Sequence, residues 1–156
     1  MVDFPAVPAP DTQAQAAVAT ALQATPRGLS FGGFAAAAMW LAGCQAEVPA
    51  RPLQRARVVV FASDNAIAQR TFQGHGLSAY APEATSEQVA EVKDNVGPIH
   101  RLAIAADASV ELVEPRITSG AIDTENGLTQ SDFNAAMILG VEIADREIDA
   151  GTDVLI

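Results

Sequence analysis

The stretch Arg57-Val58-Val59-Val60-Phe61-Ala62-Ser63-Asp64-Asn65 decides the fold. After the arginine it is an unbroken apolar run, rich in β-branched side chains and without polar alternation. A strand of this kind is buried on both faces, as in a parallel sheet covered by helices. The run stops abruptly at Ser63-Asp64-Asn65. That places polar side chains at the C-terminal end of a buried strand, where open α/β sheets bind their ligands. Asp64 is therefore the leading candidate for a ligand contact, with a cap on the next helix or turn as the alternative.

Upstream, Pro5, Pro8 and Pro10 make residues 1–10 an extended arm. Asp11 caps an alanine-rich helix reaching about Gln23, and Pro26 stops it. Residues 30–44 form a second helix, with Phe34, Ala38, Leu41 and Ala42 at helical spacing. Downstream, residues 66–84 carry Gly74, Gly76 and Pro82 and read mostly as loop. Thr85 through Gln88 fits a capping box opening a helix to about Asn95. Gly97-Pro98 breaks the chain and starts another helix to about Ala106. Residues 109–113 are a second strand. Thr129 opens the longest helix, with Phe133, Met137, Val141, Ala144 and Ile148 along one face and Gly151 at its end.

Val154-Leu155-Ile156 reads as the start of a third, buried strand. The expectation is a fragment, or a shortened relative of a larger fold, ahead of a complete small domain. The order helix, helix, strand, helix, helix, strand, helix, strand predicts a three-layer α/β fold, Rossmann-like, with a mostly parallel sheet in a partial or shortened version. Residues 1–26 are read as an arm and helix, and residues 27–156 as the α/β domain.

The chain has 156 residues, 49% apolar and 18% charged, a composition able to bury a sizeable core. Thirty-two alanines and only 5% aromatics favour closely packed helices. Nineteen acidic against nine basic residues leave a formal charge of −10, which repels nucleic-acid backbones and anionic membranes. A small phosphorylated ligand stays compatible, because backbone N–H groups hold phosphate locally. A single cysteine, Cys44, excludes an internal disulfide framework, and with two histidines a structural zinc site is not expected. No metal or redox cofactor is implied. The N-terminus lacks a signal-peptide pattern and no apolar run reaches 18 residues, so a cytoplasmic protein is expected.

Three further segments offer chemistry. Gly74-His75-Gly76-Leu77-Ser78-Ala79-Tyr80 is a compact glycine loop whose backbone N–H groups, Ser78 and Tyr80 suit a pocket wall. Pro26-Arg27-Gly28-Leu29-Ser30-Phe31-Gly32-Gly33 precedes a helix and is either an anion cradle or a tight connection. Glu111, Glu114, Glu142, Asp145, Glu147 and Asp149 mostly read as a solvated face. His75 and His100 read as loop and packing histidines.

Read together, these pieces resemble the N-terminal half of the nicotinate-nucleotide:dimethylbenzimidazole phosphoribosyltransferases. Gly28-Leu29-Ser30-Phe31-Gly32, with Met39-Trp40-Leu41-Ala42 after it, resembles the family's P-G-S-L-G segment and following helix. Val58 through Asn65 resembles its V-V-x-F-A-G-D-H strand and turn. Gly76-Leu77-Ser78-Ala79-Tyr80, with Pro82 and Thr85, resembles its G-V-S-x-Y-P-x-x-V-T loop. Thr129 through Asp153 resembles the long helix before its G-E-M-G-I-G-N motif. The family's His-Gly after the aspartate is Asn65-Ala66 here.

The resemblance implies an exchange at a ribose anomeric carbon, in which 5,6-dimethylbenzimidazole displaces nicotinate from nicotinate mononucleotide during assembly of the cobalamin lower ligand. It implies substrate contacts at Asp64, Asn65, Gly76, Ser78 and Tyr80 and phosphate contacts at Gly28, Ser30 and Gly32. It places the catalytic glutamate outside this chain, so the chain alone is expected to be inactive and none of its residues is assigned a catalytic role. The partners expected are a small aromatic base or nucleotide and a second copy in a homodimer. The alternative is a non-catalytic small-molecule binding or oligomeric interaction domain derived from that fold.

Overall fold

A computed structural model describes residues 4–156, so the first three residues of the expected arm lie outside the described residues. The chain divides into two compact units, one running to Leu53 and the other Gln54–Ile156. The first unit holds α1 (Thr12–Gln23), a 3-10 turn (Gly28–Ser30) and α2 (Gly33–Gln45). Asp11 caps α1, its Oδ1 accepting the Ala14 N–H at 2.7 Å. Small residues let the two helices approach closely. Ala14, Ala42 and Gly43 are buried, and a Cβ on Gly43 would lie 2.7 Å from Gln15 Nε2. The expected boundary at residue 26 falls inside this unit, between α1 and the 3-10 turn.

The second unit contains β1 (Ala56–Phe61), a 3-10 turn (Ala66–Gln69), β2 (Thr71–Phe72), β3 (His75–Gly76), α3 (Ala84–Lys93), α4 (Gly97–Ala105), β4 (Ala108–Val113), α5 (Gln130–Asp149) and β5 (Val154–Leu155). Its main sheet is ordered β4-β1-β5, and all three strands are parallel. The apolar run of residues 58–62 thus supplies the central strand, as its unbroken hydrophobicity predicts. Register shows the layering. Val60 pairs with Leu112, and both line a space walled by α3 and α4. Arg57 pairs with Ser109 one residue out of phase, on the opposite face, where it meets Glu147 of α5. Helices therefore cover both faces of the sheet.

Residues 66–84 are mostly loop, as expected, but include a 3-10 turn and a short antiparallel hairpin in which β2 and β3 pair across Gln73-Gly74, whose φ values are 53° and 80°. Two successive left-handed residues make the turn that matches strand twist. The Thr85–Gln88 capping box does not form. α3 begins at Ala84, Glu83 occupies the cap position without a side-chain bond, and Ser86 Oγ donates back to the Glu83 carbonyl. The acids are mostly solvated, as expected, with Glu147 the buried exception.

The core is also thinner than composition suggests. Among the described residues the buried apolar set is Ala14, Ala42, Val92, Ala103, Ala121 and Ile143, and no large side chain is fully enclosed. Two small units and alanine-rich helices bury little area per residue. Leu102 and Ile104 on α4 and Ile148 on α5 stay exposed.

Candidate functional site

The site lies at the C-terminal edge of β1, in the second unit. In a sheet ordered β4-β1-β5 the chain leaves β1 for one neighbour and later returns to the other side, so this edge is the topological switch point. A cleft of about 640 Å³ opens there. Asp64 and Asn65 come from the strand end, Ser78 and Tyr80 from the loop after β3, Gln88 from α3 and Thr118 from the loop after β4. A second cleft, of about 720 Å³, runs between the sheet and α3 and shares Asn65, Tyr80, Thr85 and Gln88 with the first. Its walls include Val60, Val89, Val92, Ile99 and Leu112. The two together make a polar mouth beside a slot whose walls are largely apolar but also include Glu87 and Glu91, the mixed lining expected of a small-molecule pocket.

The strand end is held by backbone bonds to the loop after β4. The Ser119 N–H donates to the Asp64 carbonyl at 3.1 Å, and the Ala66 N–H to the Ser119 carbonyl at 3.1 Å. Arg70 Nη2 reaches Asp123 Oδ2 at 3.0 Å and ties the two loops again farther out. In the other wall the Tyr80 N–H donates to Ser78 Oγ at 3.0 Å, which turns the loop so that both residues line the cleft. Asp64, Asn65 and Tyr80 are exposed and Ser78 is half-buried, so ligand access needs no opening. Among the described residues Asp64 is the charged side chain lining the 640 Å³ cleft, and no lysine or arginine lines it.

Four of the five residues expected to contact substrate, Asp64, Asn65, Ser78 and Tyr80, thus surround one cleft. Gly76 lies in β3, hydrogen-bonded to the hairpin, and is not among the lining residues. Gly28, Ser30 and Gly32 belong to the first unit. There the Gly28 N–H goes to the Thr25 carbonyl and hydroxyl, and the N–H and hydroxyl of Ser30 both go to the Arg27 carbonyl. Gly28 is also a packing glycine, because a Cβ would fall 1.8 Å from the Leu22 carbonyl oxygen.

Sequence reasoning missed Gln88, Thr85 and Thr118 as lining residues. Thr85 and Gln88 are one helical turn apart, so the spacing that suggests a cap also puts both on one face of α3. His75 pairs with Phe72 in the hairpin and is exposed. His100 Nε2 lies 3.0 Å from the Val92 carbonyl and joins α4 to the end of α3. Among the described residues no helix is long and apolar enough to cross a membrane.

The phosphoribosyltransferase family model matches residues 7–156. The chain is 38% identical, over 174 residues, to the nicotinate-nucleotide–dimethylbenzimidazole phosphoribosyltransferase of Mycobacterium ulcerans (strain Agy99), covering 100% of this chain and 47% of that protein. The protein of the same name from Mycobacterium leprae (strain TN) is 36% identical, covering 99% of this chain and 48% of that one. In fold the chain is similar to the crystal structure of the Thermus thermophilus phosphoribosyltransferase of this name, with a TM-score of 0.76 at 24% identity over 93% of this chain and 48% of that chain. CobT from the same organism gives a TM-score of 0.75 at 24% identity, over 92% of this chain and 46% of that chain. The chain spans about half the length of the curated relatives it matches. The matched region takes in both units and the whole strand-end cleft, and the chain belongs to the nicotinate-nucleotide–dimethylbenzimidazole phosphoribosyltransferase family.

Proposed function

We propose that this chain provides the base-receiving part of a phosphoribosyltransferase that moves ribose phosphate from nicotinate mononucleotide to 5,6-dimethylbenzimidazole. A ring nitrogen of the base attacks the ribose anomeric carbon, the bond to nicotinate breaks, and nicotinate leaves with the bonding pair. The proton shed by the attacking base passes to a general base outside this chain. This chain positions the reactants. The largely apolar slot takes the dimethyl-substituted ring, and Asp64, Asn65, Ser78 and Tyr80 receive its polar edge. Gly76 acts indirectly, by shaping the hairpin that presents Ser78 and Tyr80.

The observation that carries this reading is the meeting of Asp64 and Asn65 from the strand end with Ser78 and Tyr80 from the loop after the hairpin around one cleft at the end of the central strand. The phosphate reading of Gly28, Ser30 and Gly32 rests on the resemblance and falls chiefly on Gly32, since the N–H groups of the other two are bonded within their turn. The protein is read as cytoplasmic, working without metal or redox cofactor, and as a homodimer that covers its exposed apolar side chains. Asn65-Ala66, in place of the family's His-Gly, favours the second reading, a binding domain without turnover.

Calorimetric titration of the folded chain with 5,6-dimethylbenzimidazole tests the proposal. Saturable 1:1 binding with a Kd below about 100 µM, weakened in Asp64→Ala, is expected. No heat at several temperatures would sink it.

A further inference from the structure

The strand-end loop holds one side-chain amide in a single orientation. The Ser119 hydroxyl lies 3.0 Å from Asn65 Oδ1, and Asn65 Nδ2 lies 3.4 Å from the Ser63 carbonyl oxygen. A flipped amide would set Oδ1 against the Ser63 carbonyl, one acceptor facing another, so the carbonyl selects Nδ2 at that position. The Ser119 hydroxyl has one hydrogen and a second acceptor, the Gly120 carbonyl at 3.2 Å. The nearer Asn65 oxygen and the Ser63 contact favour the same arrangement. The backbone bonds of Ser119 to Asp64 and Ala66 fix where the hydroxyl stands.

One Nδ2 hydrogen of Asn65 points to Ser63, and the other has no partner among the described residues. Asn65 lines both clefts, and Asp64 lines the polar one with it. An amide donor next to a carboxylate acceptor complements a hydroxyl, which gives one hydrogen and takes another. An anionic group gains no ion pair there from the described residues, among which no cation lines that cleft.

We propose that Ser119 is a positioning residue that locks the Asn65 amide with Nδ2 toward the cleft, where Asn65 and Asp64 together take a sugar hydroxyl of a nucleoside ligand. The inference rests on the nucleotide-handling reading above and adds a sugar subsite to it.

The test titrates the wild-type chain, Ser119→Ala, Ser119→Thr and Asn65→Asp with 5,6-dimethylbenzimidazole and, separately, with its riboside, after circular dichroism shows each variant folded. Ser119→Ala should weaken the riboside about fivefold to tenfold and leave the free base unchanged. Ser119→Thr, which keeps the hydroxyl, should restore riboside affinity. Asn65→Asp, which loses the donor and also touches the base-receiving wall, should weaken the riboside at least as much as Ser119→Ala does and more than it weakens the free base, and it carries the test if Ser119→Ala does not fold. Riboside affinity unchanged in the variants, or lost equally for base and riboside, overturns the role of Ser119 and leaves the base-binding reading standing. Wild-type binding of neither compound overturns both.

Discussion

Arg57 on the central strand and Glu147 on α5 meet across the sheet face, with Nε 3.2 Å from Oε2, and Glu147 is only 4% exposed. The pair is an ion pair by distance without hydrogen-bond alignment, since Arg57 Nε finds no aligned acceptor. Arg57 Nη2 instead donates to Glu111 at 2.8 Å, and Arg146 bridges Glu111 at 2.6 Å and Glu147 at 2.9 Å. Two arginines and two glutamates thereby join β1, β4 and α5. A buried carboxylate is tolerable only with such partners.

Removing Glu147 should therefore be costly. Glu147→Ala leaves Arg57, whose side chain is 28% exposed, facing α5 without its partner. The expected loss is about 2–4 kcal/mol, toward the lower part of the range for broken buried pairs because Arg57 keeps Glu111. Urea unfolding measures it, and a loss under about 0.5 kcal/mol, the usual scale of surface substitutions, would show that the network does not hold α5.

Acid should weaken the fold through two carboxylates. The Arg57 hydrogen bond, opposed by burial and helped by Arg146, holds Glu111 below the ordinary glutamate value. The Gln54 N–H foremost, opposed by desolvation and helped by the Arg55 N–H, holds Asp153 below its own. A depressed folded-state pKa gives stability that is present above the unfolded value and lost as pH falls through the folded one. Urea midpoints should stay level from neutrality down to about pH 5 and fall below about pH 4. In Asp153→Asn the fall should be shallower, and an unchanged slope would remove Asp153 from the account.

Gly28 answers to packing before any ligand. A Cβ there would meet the Leu22 carbonyl carbon at 2.5 Å as well as its oxygen, and backbone cannot step aside as a flexible side chain can. Gly28→Ala should cost about 1–3 kcal/mol, as overpacking does, and lower the melting temperature of the chain without ligand. An unaffected melting temperature would return Gly28 to the list of residues free to serve a phosphate.

Thr129 caps the longest helix, its Oγ1 accepting the Asp132 N–H at 3.1 Å. Thr129→Ala should cost about 1 kcal/mol. Thr129→Ser, which keeps the oxygen, should recover most of it in the same denaturation series.

The Asp64 end of the site was legible because its signal is local. An apolar run followed at once by Ser63-Asp64-Asn65 needs no distant information to be read as a strand end. Asp11 and Thr129 were legible as caps for the same reason, since each bonds an N–H three residues on. Gln88 was misread because its spacing from Thr85 serves a cap and a helix face equally well. Glu147 was misread because helix acids are usually solvated, and only the arrival of Arg57 from another element makes its burial tolerable.

By itself the sequence determined the main strands and helices, that the central run lies in a parallel sheet, and that Asp64 stands at its end. Those properties follow from periodicity, β-branching and capping within a few residues. Only the tertiary structure decided that β1 lies between β4 and β5, that Ser78, Tyr80 and Gln88 close on Asp64, and that Ser119 holds Asn65 across 54 residues of chain. Such pairings depend on which surfaces meet when the whole sheet assembles, and no short stretch of sequence carries that choice.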